Sequence, residues 1–160
     1  IAYWTGRGYL GLGRSAAGML DAEDFDRLAG LFPGVAPRGD FHRVRLVQRN
    51  DDATAFVAEC LTRREAAAED LMLACRMTRG VASDLLVRAA RVIPADELTV
   101  ACDRALELGL ATWVPEHGDT HAGPIASDDV VTGRICARLA PTHLGWLDGN
   151  MLFELFWGLA

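Results

Sequence analysis

"PADELTVACDRALELGLATWV", Pro94 to Val114, is the stretch on which the reading of the fold turns. Pro94 stands near the first turn of a helix, where its missing N–H removes no hydrogen bond. Leu98, Ala101, Ala105 and Leu108 then recur at helical spacing and form one apolar stripe, and Gly109 is a good C-terminal stop. "LATWV" follows at once and reads as a strand. "RICARLAP", Arg134 to Pro141, reads as a second strand, separated from the first by the polar, glycine-containing loop "PEHGDTHAGPIASDDVVTG". A helix that runs straight into a hairpin is the seed of the fold reading.

Working back toward the start, "SDLLVRAARV" reads as a helix from Ser83, and "RREAAAEDLMLACRM" as a helix carrying Leu71, Met72 and Cys75 that stops at Gly80. "DDATAFVAECL" reads as a further helix capped by Asp51 or Asp52. Three helices followed by a two-stranded hairpin is the order of a winged-helix module. The end, "THLGWLDGNMLFELFWGLA", is helical and very apolar, and Met151, Leu152, Leu155 and Phe156 are expected to bury a large face. Ahead of these helices, "FHRVRLVQ" alternates Val44 and Leu46 with Arg43 and Arg45, as an edge or half-exposed strand would. "PGVAPRGD" is a break, and "DAEDFDRLAGLF" is an amphipathic helix with an Asp cap and Phe25, Leu28, Leu31 and Phe32 on one side. "YLGLG", residues 9 to 13, reads as a short strand, after which "RSAAGML" opens a helical turn. The join is placed at residues 33 to 50, giving one part over 1–45 and a second, winged-helix-like part over 46–160. The fold class expected is α+β, mostly helical.

The chain has 160 residues, 51% of them hydrophobic, with a formal net charge of -6. Every basic residue is arginine. An acidic balance argues against broad affinity for nucleic acid or anionic membrane, whose binding is driven by basic charge. No apolar run reaches the ~18 residues of a membrane span, and the start lacks the pattern of a signal peptide. Cys60, Cys75, Cys102 and Cys136 fit no zinc or iron–sulfur spacing and sit in apolar contexts. They read as free thiols in a reduced, cytoplasmic setting.

Candidate chemistry is sparse. In a winged helix the helix before the hairpin would face DNA, but here it carries Asp96, Glu97, Asp103 and Glu107 against Arg104 alone, which phosphates would repel. "EHGDTH" brings His117, Asp119 and His121 close in sequence, competent ligands for a transition metal, yet a solvated loop is the plainer reading. His42 and His143 stand alone. Ser15 lies in a small-residue turn, Ser83 reads as a helix cap, and Glu65, Glu69 and Asp70 read as a solvated helix face. No catalytic residue and no metal ligand is assigned. The glycine-rich opening "YWTGRGYLGLGRSAAGML", Tyr3 to Leu20, is the one stretch whose composition asks for a close approach of main chain to something else. It is no Walker sequence, and it departs from the dinucleotide pattern at the third glycine.

Several of these segments resemble one family. "IAYWTGRGYLGLGRSAAGML" is similar to the "YW…YLGxGxxAxG" segment near the end of the radical S-adenosylmethionine domain of oxygen-independent coproporphyrinogen III oxidases and their haem-chaperone relatives. "EDLMLACRMTRGV" resembles that family's "E-x-LMLGLRLxxGV", with Ala74 and Cys75 where Gly and Leu are frequent. "LELGLATW" and "RLAPTHLGWLDGNMLFELF" resemble its "L-x-x-GLL" and "RLTxxGxxLxNxVxxxL", with Ala140 and Pro141 in place of the usual Thr-led sequence. The resemblance implies a C-terminal portion of such a protein: a remnant of the radical S-adenosylmethionine barrel, then the winged-helix-like domain covering the barrel and shaping a porphyrin site. It implies backbone contacts to S-adenosylmethionine at Ala17, with Ala16, Gly18 and Ser15 as neighbours. It implies, for the parent, a [4Fe-4S] cluster and haem or a porphyrin as ligand, with the N-terminal radical S-adenosylmethionine domain as partner. The Cys-x3-Cys-x2-Cys cluster motif is absent, so the portion alone is expected to lack catalysis. Oxidative decarboxylase and haem chaperone both remain open, the "YW…YLGLG" version leaning to the chaperone branch. The alternative is an independent winged-helix interaction module. A barrel remnant would leave a strand edge exposed or paired with another copy, making a homodimer.

Overall fold

A computed structural model of the chain describes residues 7–11, 16–36, 39–49, 52, 55–116 and 123–160. Among them are seven helices and two small antiparallel sheets, an α+β protein about 45% helical. The chain divides into two compact units at Ala66/Ala67.

The first unit is built on a three-stranded antiparallel sheet in the order β1 (Ala17–Asp21), β2 (Arg43–Gln48), β3 (Phe56–Leu61). Ala17 pairs with Val47 and Asp21 with Arg43; Arg43 pairs in turn with Leu61 and Gln48 with Phe56. Helix α1 (Ala22–Leu28) starts directly from β1, because Asp21 accepts a hydrogen bond from the Asp24 N–H at 2.8 Å as its N-cap. A 3-10 turn, Ala29–Leu31, continues it. Phe25, Phe32, Leu20, Val44 and Leu46 form the buried core here. Its rings are ordered: Phe25 stacks on Phe32 and meets Phe41 edge-on, while Phe32 meets Phe56 edge-on at 5.2 Å between centroids.

Four sequence expectations change in this unit. "RSAAGML", expected to open a helical turn, runs instead into the strand Ala17–Asp21, and Tyr9 of the expected strand contributes an isolated bridge to Met19, Leu12 and Gly13 lying outside the described residues. β2 is the central strand, so of the two readings the edge falls and the half-exposed strand stands, buried Val44 and Leu46 alternating with half-buried Arg43 and Arg45. "DDATAFVAECL" yields β3 rather than a helix, since β2 presents a ladder that satisfies its backbone. Leu31, assigned to the apolar side of the first helix, is exposed.

Helix α2 (Arg63–Cys75) carries the chain into the second unit. It begins with a reciprocal cap: Thr62 Oγ1 accepts from the Glu65 N–H, and Glu65 Oε2 accepts from the Thr62 N–H at 2.7 Å. Then follow α3 (Ser83–Ala89), α4 (Ala95–Glu107), β4 (Ala111–Pro115), α5 (Ser127–Val131), β5 (Ala137–Pro141), α6 (His143–Leu147) and α7 (Gly149–Trp157). β4 and β5 pair as the expected antiparallel hairpin, Trp113 opposite Leu139. Val81, between α2 and α3, exchanges two hydrogen bonds with Leu139 on β5 at 2.8 and 2.9 Å. Gly80 makes that approach possible with its positive φ, since a Cβ there would stand 2.1 Å from the Leu139 carbonyl oxygen. The core runs through Leu71, Leu86, Ile93, Leu98, Leu110, Val130, Leu139, Leu152 and Phe156.

In α4 the predicted Leu98, Ala101 and Ala105 are buried. In α7 Leu152 and Phe156 are buried, but Met151 faces outward. Helix α5 lies inside what reads as a plain loop. It is short, and Arg134 reaches back to both Asp128 and Asp129, the latter at 2.6 Å.

Candidate functional site

The glycine-rich opening has an occupant, and it is the chain itself. Tyr9 and Met19 exchange main-chain hydrogen bonds, both 2.8 Å. The chain entering at Tyr9 therefore lies antiparallel to β1, on the side away from β2. At Gly11 the approach is closest, for a Cβ there would come 2.3 Å from the Ala17 carbonyl oxygen and 3.0 Å from the Ala16 Cβ. At Gly18 a Cβ would come 3.2 Å from the Tyr9 carbonyl oxygen. A side chain is therefore excluded at Gly11 and tight at Gly18.

Of the four residues assigned to cofactor contact, Ala16, Ala17 and Gly18 come together at the start of β1. Ala16 and Ala17 are half-buried. The Ala16 carbonyl accepts from the Gln48 N–H at 3.4 Å, and Ala17 and Gly18 stand opposite Val47 and Leu46. Ser15 lies outside the described residues. At the other end of β1 a polar cavity of about 310 Å³ is lined by Arg7, Met19, Asp21, His42 and Arg43, in which Asp21 is already committed to capping α1. The sequence left His42 without a partner element; its main chain ties α1 to β3, accepting from Ala22 and donating to the Leu61 carbonyl.

His117, Asp119 and His121 of "EHGDTH" also lie outside the described residues. Glu116, the first residue of that motif, has a structural task. Its Oε2 accepts from the Ser83 hydroxyl at 2.7 Å and from the Ser83 N–H at 3.2 Å, so a carboxylate from the end of β4 caps α3. Ser83, read as the cap, is instead the first helical residue; Ala82 holds the N-cap position without a side-chain bond, and the acceptor comes from elsewhere in sequence. Thr142, which the sequence did not single out, caps α6 by accepting from the Gly145 N–H at 3.1 Å while donating to the Gly109 carbonyl at 2.6 Å. Its position ahead of "HLG" is the signal that would have found it. Glu69, read as part of a solvated face, is buried, whereas Glu65 of the same group is the α2 cap.

The cysteines do not suit a cluster. Among the described residues no group of three His, Cys, Asp or Glu side chains can hold a metal ion. Burial pushes the Cys102 thiol up to about 12 and the Cys75 thiol higher still, each with a smaller contribution from a neighbouring acid or thiol. A thiolate ligand needs the opposite shift. Cys60 lies in the first unit and exposed Cys136 in the second. The residues present do not fit an iron–sulfur cluster, and no reaction step is derived through one.

Toward solvent, α6 and α7 show Leu144, Trp146, Leu147, Met151 and Trp157, with Leu147 72% exposed. No described helix is long and apolar enough to cross a membrane. Compared with protein-family models, with curated proteins and with solved structures, the chain matches none.

Proposed function

We propose that the chain is the C-terminal portion of an oxygen-independent coproporphyrinogen III oxidase-like radical S-adenosylmethionine protein, acting in haem or porphyrin metabolism as a haem chaperone or an oxidative decarboxylase. The observation that carries this reading is the order in which the quoted family-like segments succeed one another along nearly the whole chain. The local geometry is compatible with it. Ala16 to Gly18 form a small-residue edge whose backbone is approached closely, as a backbone contact to S-adenosylmethionine requires, although in this chain Tyr9 to Gly11 already take part of that edge. For the second unit, the order α2, Val81 bridge, α3, α4, β4, β5 supports the winged-helix-like reading.

In this reading the cluster belongs to the partner domain of the parent protein, and the chain supplies one cofactor-facing edge and a covering module. The test is made on the full-length parent, purified anaerobically and reconstituted with iron and sulfide. Haem and coproporphyrinogen III are titrated separately in the presence of S-adenosylmethionine. Haem binding without decarboxylation assigns the chaperone branch, and conversion of coproporphyrinogen III assigns the oxidase. Failure to build a cluster or to bind either ligand overturns the proposal. Ala17→Trp in the same protein is expected to weaken S-adenosylmethionine binding, and unchanged affinity removes Ala17 from the site.

The exposed apolar side chains of α6 and α7 favour a second reading, an independent interaction module without catalysis. A parent gene encoding no Cys-x3-Cys-x2-Cys motif upstream would put that reading first.

A further inference from the structure

A shallow groove of about 470 Å³, largely open to solvent, lies between α4 and α7. Its lining combines the apolar Val100, Leu155 and Leu159 with the acidic Asp96, Glu97 and Glu154. Val100 is 67% exposed, an aliphatic β-branched residue on the solvent side of a helix that buries Leu98, Ala101, Cys102 and Ala105.

The acidic charges differ in origin. Asp96 and Glu97 lie in the first turn of α4, where the helix dipole favours acids for stability alone. Glu154 lies toward the C-terminal end of α7, where the dipole disfavours an acid, and it forms no ion pair with any described residue. Helix stability therefore gives no reason for Glu154. Arg104, the one basic residue on the groove, is bonded to Glu107 at 3.1 Å. The lining is thus apolar and net acidic.

We propose that this groove docks a basic amphipathic helix of a partner protein, two or so aliphatic side chains seated over Val100 and Leu155 and flanking Lys or Arg side chains facing Asp96 and Glu154. The proposal is independent of the porphyrin reading, since it uses no residue of β1 and requires no cofactor.

Calorimetric titration of the whole chain with a synthetic Leu/Lys amphipathic peptide of about five helical turns tests it. A Leu/Glu peptide of the same pattern serves as comparison, and vesicles containing anionic lipid as a second one. Saturable binding of the Leu/Lys peptide is expected, weakening with added salt, and about tenfold weaker in Val100→Asp and in Glu154→Lys. Glu23→Lys, on α1, is expected to bind as the parent chain does. Circular dichroism confirms that each exposed-site variant is folded. Absence of binding overturns the proposal, as do equal binding of both peptides, affinity unaffected by Val100→Asp and Glu154→Lys, or uptake by vesicles instead of peptide. Self-association abolished by Val100→Asp would assign the groove to a second copy and overturn it equally.

Discussion

Thr62 and Glu65 hold each other's main-chain N–H groups at the head of α2, and the same bonds keep the Glu65 carboxyl below its ordinary value, the backbone bond from Thr62 contributing most. Thr62→Ala is expected to cost about 1 kcal/mol in a denaturant titration. Because the folded value is depressed, the carboxylate's contribution is present above about pH 4.3, the unfolded value, and is lost as pH falls through the lower folded value. The stability difference between the parent and Glu65→Gln should accordingly shrink in acid. The thiols of Cys75 and Cys102 behave in the opposite sense. Their folded values are raised, so their contribution is complete below about 8.5, the unfolded value, and declines as pH rises toward and past about 12. Denaturation midpoints measured from about pH 7.5 to about pH 9.5, roughly one unit on each side of the unfolded thiol value, should fall more steeply in the parent than in Cys75→Ala/Cys102→Ala. Equal slopes would show that the thiols do not govern alkaline stability.

At the scale of elements, the register of β5 depends on Gly80. Ala there would combine a left-handed backbone with a Cβ 2.1 Å from the Leu139 carbonyl oxygen, and a loss of about 2 kcal/mol or more is expected in thermal unfolding. Gly30→Ala meets open space and should stay within about 0.5 kcal/mol of the parent. A neutral Gly80→Ala would mean that the Val81 bridge is dispensable. The elements most legible in the sequence are those that carry their own signals. Helix α4 has its proline, stripe and terminal glycine in one stretch, and β4 and β5 have a hairpin order with apolar alternation. β3 was hidden because "TAFVAECL" is rich in helix-tolerant Ala and Glu, and only the neighbouring β2 ladder makes it a strand. β1 was displaced toward the glycines for the same reason, its partner lying far ahead in sequence. Helix α5 has both first-turn acids, Asp128 and Asp129, held by Arg134 from just beyond its end, a grip across five and six residues that the helical period does not announce.

For the whole molecule, two compact units with separate cores predict separable responses to core damage. Phe32→Ala should cost about 3–5 kcal/mol and Leu98→Ala about 2–5 kcal/mol. Amide exchange should then accelerate in β1, β2 and β3 for the first, and in α4, β4 and β5 for the second. Exchange rising everywhere in either variant would show a single cooperative block. The candidate site was legible only as composition: five glycines near the start announced close backbone approach, but Tyr9 to Gly11 as the approaching segment emerges from pairing, which sequence order alone does not specify. The reciprocal bonds between Val81 and Leu139 have a consequence for tolerance to insertion. They close a ring of chain containing α3, α4, β4 and α5, and the entropy of closing a ring grows only logarithmically with its length, about 0.6 kcal/mol per doubling. Residues added at an exposed turn inside that ring lengthen it without touching either anchor. This is where the chain can accept a grafted segment at little thermodynamic loss, while a single methyl group at the anchoring glycine is refused.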